Sequence, residues 1–350
     1  MMIPYNVADV RFQLGQNIGH EGRNSDVFLA TDIHLNAEIV MKRMSKIKLN
    51  ANNFFDEAQV LYRSSHPNII PIHYACQDND YIYLAMPYYN KGSLKQIAKN
   101  ESLTVKQIVR YTLHFLSGLH NIHSKGLVHL DIKPDNILIS DRDEAVLSDF
   151  GLAKNLNIHG QAALTRHYVS HLAPEVFGQA QDQAPIIDRL YDIYQVGVTL
   201  YRLLIGEDVF KEQLITIWQN GGKVALMSAI ETGVFPNRNA LPVHIPNKMK
   251  TIVKKCLEVD PVSRYQSVLE LSNALAAIPN EGTQWKVDSE QDHTLYTFEK
   301  DGGSSVVLNL LENGSCTAYN VNAAGNRSRI RDMCKDAVSK RELYAFLMSK

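Results

Sequence analysis

The sequence predicts an α+β protein whose strands and helices are segregated along the chain, and three observations carry that expectation. Alternating or β-branched runs dominate residues 11–88, a helical apolar period governs residues 104–124, and strand-like runs split by Asp-Gly-Gly and Glu-Asn-Gly turns return after residue 283. At 350 residues the chain has room for a large core and two domains, or one larger domain with an appendix. Apolar content of 45% and charged content of 21% are ordinary for a globular protein. A formal charge of −1 gives no global reason to expect nucleic-acid or membrane binding.

Cys76, Cys256, Cys316 and Cys334 are scattered, with no Cys-x-x-Cys pair, and read as reduced structural thiols. The start, Met1-Met2-Ile3-Pro4-Tyr5, is not a signal peptide, and no run of eighteen apolar residues occurs. The expectation is a cytoplasmic protein without a membrane span.

Taken in order, residues 11–31 form a hairpin with a flexible tip around Gly19 and Gly22. Glycines there let backbone N–H groups approach a phosphate, although an ordinary hairpin accounts for them equally well. Ile39-Val40-Met41-Lys42 is a strand ending in lysine. From Asn53 to Ser64 the apolar period is helical, and Glu57 lies between its apolar pairs. His66-Pro67 ends that helix. Tyr81 to Tyr88 is a strand running into the linker Pro87-Tyr88-Tyr89-Asn90-Lys91-Gly92. The helix over residues 104–124 is scaffolding, and its His114, His120 and His123 are given no chemical role.

The chain is organised around His129 to Gly151. Asp131, Lys133 and Asn136 sit on one loop, and an apolar hairpin from Ile137 returns the chain to Ser148-Asp149-Phe150-Gly151. Such a hairpin brings Asp131, Asn136 and Asp149 to one mouth. Acid and amide oxygens with few other protein ligands suit Mg²⁺, which keeps waters and phosphate oxygens in its shell. Lys133 is a point charge placed to neutralise a phosphoryl group.

His129-x-Asp131-x-x-x-x-Asn136 followed by Asp149-Phe150-Gly151 resembles the catalytic and metal loops of eukaryotic-type protein kinases, and Lys133 within the loop resembles the serine/threonine branch. The resemblance spans residues 10–278 and implies a two-lobed fold, a small β-rich lobe over about 10–87 and a larger helical lobe over about 90–278. It implies that Asp131 takes the proton of the substrate hydroxyl, that Lys133 neutralises the γ-phosphoryl group, and that Lys42 paired with Glu57 places the α/β-phosphates. Asn136 and Asp149 would then hold Mg²⁺, with Mn²⁺ as the alternative. ATP would lie among Ile18, Gly19, Gly22, Val27, Val40, Met86 and Leu138, its base paired to the backbone of Pro87 and Tyr89. Ala173-Pro174-Glu175 with Arg264 resembles the ion pair that anchors the substrate-docking segment. Asp192 resembles the central-helix acid that caps the catalytic loop. These last marks set protein kinases apart from small-molecule phosphotransferases and imply a protein substrate.

Three departures bear on that reading. Ser25 replaces the third glycine of the phosphate loop. Leu130 stands where most relatives carry an arginine that reads an activation-loop phosphate, so activity is expected without such a phosphate. Tyr168 stands where the resemblance implies a threonine that bridges the catalytic aspartate and lysine, which leaves tyrosine open as a substrate beside serine and threonine. Thr165, Tyr168 and Ser170 are candidate phosphorylation sites, and autophosphorylation is expected. Rival readings are a non-enzymatic nucleotide-binding scaffold and a small-molecule phosphotransferase.

Residues 283–350 are read as a small α+β module with strands at Trp285–Val287, Thr294–Phe298, Val306–Leu311 and Ser315–Val321 and a helix over about Ile330 to Leu347. Its end carries Arg327, Arg329, Arg331, Lys335, Lys340, Arg341 and Lys350 against Asp332, Asp336 and Glu342. A solvated helix face explains that bias better than nucleic acid. The module is expected to serve interaction or regulation, with a partner that the sequence leaves unnamed.

Overall fold

The computed structural model describes residues 8–19, 25–48, 55–164, 169–177, 184–290 and 292–350. The first lobe is an antiparallel sheet of β1 (Phe12–Gly19), β2 (Ser25–Asp32), β3 (Ala37–Ser45), β4 (Tyr74–Gln77) and β5 (Tyr81–Pro87), with α1 (Asp56–Arg63) inserted after β3. The strand order is β1-β2-β3-β5-β4. Residues directly opposite across a ladder share a face. The register Val27↔Lys42 and Val40↔Met86 therefore lines Val27, Val40, Lys42 and Met86 along one side of the sheet. α1 buries Ala58 and Leu61 and so turns Glu57 toward the same side. Its first described helical residue is Asp56, whereas the period pointed to Asn53.

The helical lobe starts with α2 (Leu94–Asn100) and α3 (Val105–Ser124). Thr104 and Gln107 form a reciprocal capping box at the start of α3, whose apolar stripe from Val105 to Ile122 is buried. Gly118 is required there, since a Cβ at that position would lie 2.5 Å from the Asn68 carbonyl oxygen. Short pairings follow: β6 (Leu127–Val128), β7 (Ile137–Ile139), β8 (Ala145–Leu147), β9 (Lys154–Asn155), β10 (Ala162–Ala163) and β11 (Ile186–Ile187). The lobe closes with α4 (Arg189–Ile205), α5 (Glu207–Gln219), α6 (Gly222–Glu231), α7 (Asn247–Cys256) and α8 (Val268–Ala276). α4 is buried along most of its length, and it starts before Asp192 because Asp188 caps it by accepting from the Leu190 N–H. One continuous apolar core joins Leu61 and Met86 of the first lobe to α3, α4, α7 and α8.

The C-terminal region is a meander of β12 (Trp285–Ser289), β13 (His293–Glu299), β14 (Ser305–Leu311), β15 (Cys316–Val321) and β16 (Arg327–Arg329), covered by α9 (Lys340–Leu347). Its own core gathers Trp285, Tyr296, Val306, Leu308, Leu343 and Leu347, and the Trp285 indole donates to the Leu347 carbonyl at 2.8 Å. The region rests on the helical lobe through the Lys106 N–H to the Thr283 carbonyl (2.8 Å) and the Asn247 N–H to the Tyr344 hydroxyl (3.1 Å). The long helix expected from Ile330 is absent. Arg327–Arg329 pair with Tyr319–Val321 as a fifth strand, and the helix waits for the Ser339/Glu342 capping box. The basic residues are thus spread over an exposed edge strand, the connection after it, a short helix and the end of the chain.

Candidate active site

The catalytic loop has an unusual backbone, because Leu130 and Asp149 both lie in the left-handed region at φ 68° and 58°. Non-glycine residues rarely adopt that conformation without outside restraint. α4 supplies it. Asp192 accepts from the His129 N–H (2.9 Å) and the Leu130 N–H (2.8 Å), and Gln195 accepts from the Ile132 N–H (3.0 Å) while donating to the Leu130 carbonyl (3.1 Å). Thr199 donates to the Ile132 carbonyl at 3.3 Å.

On that frame the Asp131 carboxylate accepts from the Asn136 amide at 2.7 Å and lies 3.0 Å from Lys133 Nζ. Burial raises the Asp131 pKa, against the opposing pull of Lys133. The β7–β8 hairpin closes with the Ser148 N–H on the Asn136 carbonyl at 2.9 Å, so Asp149 follows directly at its mouth. Phe150 is buried edge-on to His129, with ring centroids 4.8 Å apart, and its burial turns Asp149 the other way.

Lys42 Nζ lies 2.7 and 3.0 Å from the two oxygens of Glu57 and 2.9 Å from Asp149 Oδ1. Burial disfavours the Lys42 charge, but Asp149 and Glu57 override it and raise its pKa. In turn the Lys42 charge holds Asp149 down to about 2. Gly151 borders this cluster: a Cβ there would press on Asp149 Oδ1 at 3.3 Å and meet Lys42 and Glu57 in ordinary contact at 3.4 and 3.6 Å.

Val40, Leu138 and Tyr89 are half-buried against the core that includes Met86. Gly19 opposes Val27 so closely that a Cβ would come within 2.7 Å of the valine Cβ. Pro87 ends β5, and Ile18 is 44% exposed on the β1 side. Gly22, Thr165 and Tyr168 lie outside the described residues. Ser170 is described, its hydroxyl 3.0 Å from His171 Nδ1.

Farther out, Arg264 grips Glu175 with both terminal nitrogens at 2.9 and 2.6 Å. Its remaining donors reach the Leu190, Glu258 and Val259 carbonyls. This bidentate, charge-assisted pair ties the segment around Ala173-Pro174-Glu175 to the helical lobe.

The model of the protein kinase domain matches residues 12–274. The chain belongs to the protein kinase family. Its relatives include a probable serine/threonine-protein kinase of Clostridium acetobutylicum, 28% identical over 78% of this chain and 41% of the relative. The serine/threonine-protein kinase PknD of Protochlamydia amoebophila is 29% identical over 74% of this chain and 29% of its own. PrkC of Bacillus subtilis, also a serine/threonine-protein kinase, is 29% identical over 75% of this chain and 39% of its own. The chain spans well under half the length of these relatives. It carries a protein kinase domain of the serine/threonine kind, and among the described residues no helix is long and apolar enough to cross a membrane.

The kinase domain holds functional contacts that the linear motifs missed. His123, given no role from sequence, lies 2.8 Å from Asp192 and helps orient it. Gln195, Thr199 and Arg202 were hidden in an apolar helix. Their signal was present all the same, because 192, 195, 199 and 202 are polar positions on one helical stripe of a buried element.

The donor set fits a hard divalent cation. Both N–H groups of Asn136 are taken by Asp131, at its carboxylate and its carbonyl, which leaves the amide oxygen outward. Asp149 Oδ2 has no protein partner among the described residues, while Oδ1 is on Lys42. Two such oxygens suit a cation that completes its shell with phosphate oxygens and water.

Proposed function

We propose that this kinase domain transfers the γ-phosphoryl group of ATP to serine or threonine hydroxyls of protein substrates, with Mg²⁺ as the metal and Mn²⁺ as its substitute. One observation carries the reading: Asp131, Lys133 and Asn136 converge on one loop while the Lys42–Glu57 pair closes on Asp149. In this arrangement the Asp131 carboxylate orients the substrate hydroxyl and accepts its proton. Lys133, beside it, offsets charge on the transferring group. Lys42, fixed by Glu57, holds the α/β-phosphates. Asn136 and Asp149 would hold the metal, which when bound would supply charge neutralisation on the phosphate oxygens. The base packs among Ile18, Gly19, Val27, Val40, Met86 and Leu138, with the backbone of Pro87 and Tyr89 at its edge. Positioning and electrostatics supply the catalysis.

The domain is ready without a phosphate reader. Leu130 is buried where a guanidinium would be needed, and the Lys42–Glu57–Asp149 cluster is already closed. Autophosphorylation then follows as a side activity rather than a prerequisite. Residues 283–350 act as an interaction module for a further protein.

The test is radiolabelled ATP with Mg²⁺, the full chain and a generic basic protein, with Asp131→Ala and Asp149→Asn beside wild type. Label on serine or threonine in wild type alone is expected. No label from folded, ATP-binding wild type overturns the reading.

A further inference from the structure

Arg202 ends the polar stripe of α4 and is 5% exposed. Its Nη1 lies 2.9 Å from His171 Nε2, and its Nη2 lies 3.3 Å from Asp135 Oδ2. Glu207 fixes the fork, accepting from Nε at 2.9 Å and from Nη2 at 2.9 and 2.8 Å. The other Asp135 oxygen accepts from Lys95 Nζ at 2.5 Å.

A guanidinium only donates, so His171 Nε2 accepts. The imidazole is therefore neutral with its proton on Nδ1, which donates to the Ser170 hydroxyl at 3.0 Å. Burial, reinforced by the adjacent Arg202 charge, lowers the His171 pKa well below its ordinary value, in keeping with that form. A second tether runs from Gln195 Nε2 to the His171 carbonyl at 3.4 Å.

The two groups held by Arg202 belong to different loops. Asp135 lies between Lys133 and Asn136 of the catalytic loop. His171 lies just before Ala173-Pro174-Glu175 of the docking segment. We propose that Arg202 is a positioning residue that clamps the docking segment to the catalytic loop, with His171 as its acceptor, and so sets where a substrate hydroxyl meets Asp131.

The clamp is distinct from the Glu175–Arg264 anchor, which ties the same segment to the start of α4 and to the loop after α7. Arg264 holds the segment in place. Arg202 relates it to the catalytic loop. A guanidinium serving only as a satisfied core group would affect stability without separating protein substrate from nucleotide. A clamp affects transfer to protein and leaves nucleotide handling alone. The proposal rests on the kinase reading above.

The test measures phosphate transfer to the basic protein and metal-dependent ATP hydrolysis by water. It uses the full chain as wild type, His171→Leu, His171→Gln and Arg202→Lys, each checked for folding by circular dichroism. Misplacing reacting groups by about 1 Å costs on the order of 10²-fold. His171→Leu is expected to lower kcat/KM for the protein substrate by about 10- to 100-fold, with ATP hydrolysis and the KM for ATP within about twofold of wild type. His171→Gln, which keeps a neutral acceptor, is expected to recover to within about threefold. Arg202→Lys keeps the charge but lacks the fork to span both loops, so it should share the His171→Leu pattern and decides the matter if His171→Leu fails to fold. Unchanged protein kinetics in folded His171→Leu or Arg202→Lys overturns the clamp. So does equal impairment of His171→Leu and His171→Gln, or a parallel rise in the KM for ATP. A wild type that transfers no phosphate overturns the kinase reading and the clamp together, whereas a transferring wild type with indifferent variants overturns the clamp alone.

Discussion

Lys42 Nζ lies 2.9 Å from Asp149 Oδ1 although the two residues are 107 apart in the chain. The contact joins the sheet of the first lobe to the loop that opens the docking segment, and Glu57 on α1 completes it at 2.7 Å. Lobe closure, helix placement and the metal loop therefore meet at one ammonium group. Replacing that ammonium removes a preorganised charge from the phosphates. Lys42→Met should reduce phosphate transfer by about 10²- to 10³-fold, the usual cost of losing one such group. Glu57→Gln should give a smaller loss, because the amide still accepts from Lys42. Initial-rate kinetics in ATP would read both, and equal losses would argue against Glu57 acting through Lys42.

The pH dependence follows from opposite shifts on two carboxylates. Asp149 is depressed to about 2 from an ordinary 3.8, so its contribution to stability is complete above about 3.8 and is lost as pH falls through about 2. Asp149 thus stays ionised wherever the enzyme is assayed. Asp131 is raised above 3.8 by burial, so the base is protonated first on acidification. The acid limb of the kcat profile should lie above 3.8. Lys133→Met removes the cation that opposes the shift and should move the limb higher. A limb unmoved by that substitution would detach it from Asp131.

Glu175 neutralises an Arg264 side chain with no solvent exposure. Removing one partner of such a pair leaves a buried, uncompensated charge and costs about 3–5 kcal/mol. Glu175→Ala should therefore lower the urea midpoint at unchanged slope, and Glu175→Gln should cost less by keeping an acceptor on the fork. A wild-type midpoint for Glu175→Ala would mean that the guanidinium finds other acceptors.

Leu130, buried in the catalytic loop, has no means of gripping a phosphate. Phosphatase-treated protein should therefore start phosphate transfer without a lag, at a rate within about twofold of untreated protein. A lag removed by preincubation with ATP would point to a phosphate reader elsewhere.

Much of the site was legible because its residues lie close together in sequence. Asp131, Lys133 and Asn136 share one loop, and a short apolar hairpin returns the chain to Asp149. The Lys42–Glu57 and Glu175–Arg264 pairs were legible only through the resemblance, since nothing in local periodicity joins residues 15 or 89 apart. Asp192 was likewise legible only through the resemblance, and the other supports of the loop stayed hidden for the same reason. Asp192, Gln195, Thr199 and Arg202 act across more than 60 residues, and three of them read as minor interruptions of an apolar helix. In the C-terminal region the apolar alternation marked four strands correctly. The fifth, Arg327–Arg329, is an exposed edge strand with no apolar residue, so backbone pairing alone defines it.

Asp131 serves the substrate hydroxyl rather than the nucleotide in the proposed reaction. The most direct measurement compares wild type with Asp131→Asn in two readouts, ATP affinity with Mg²⁺ and single-turnover transfer to the basic protein. ATP affinity is expected within about twofold of wild type and transfer reduced by at least about 10²-fold, the range of a lost general base. Transfer at the wild-type rate with Asp131→Asn would contradict that role.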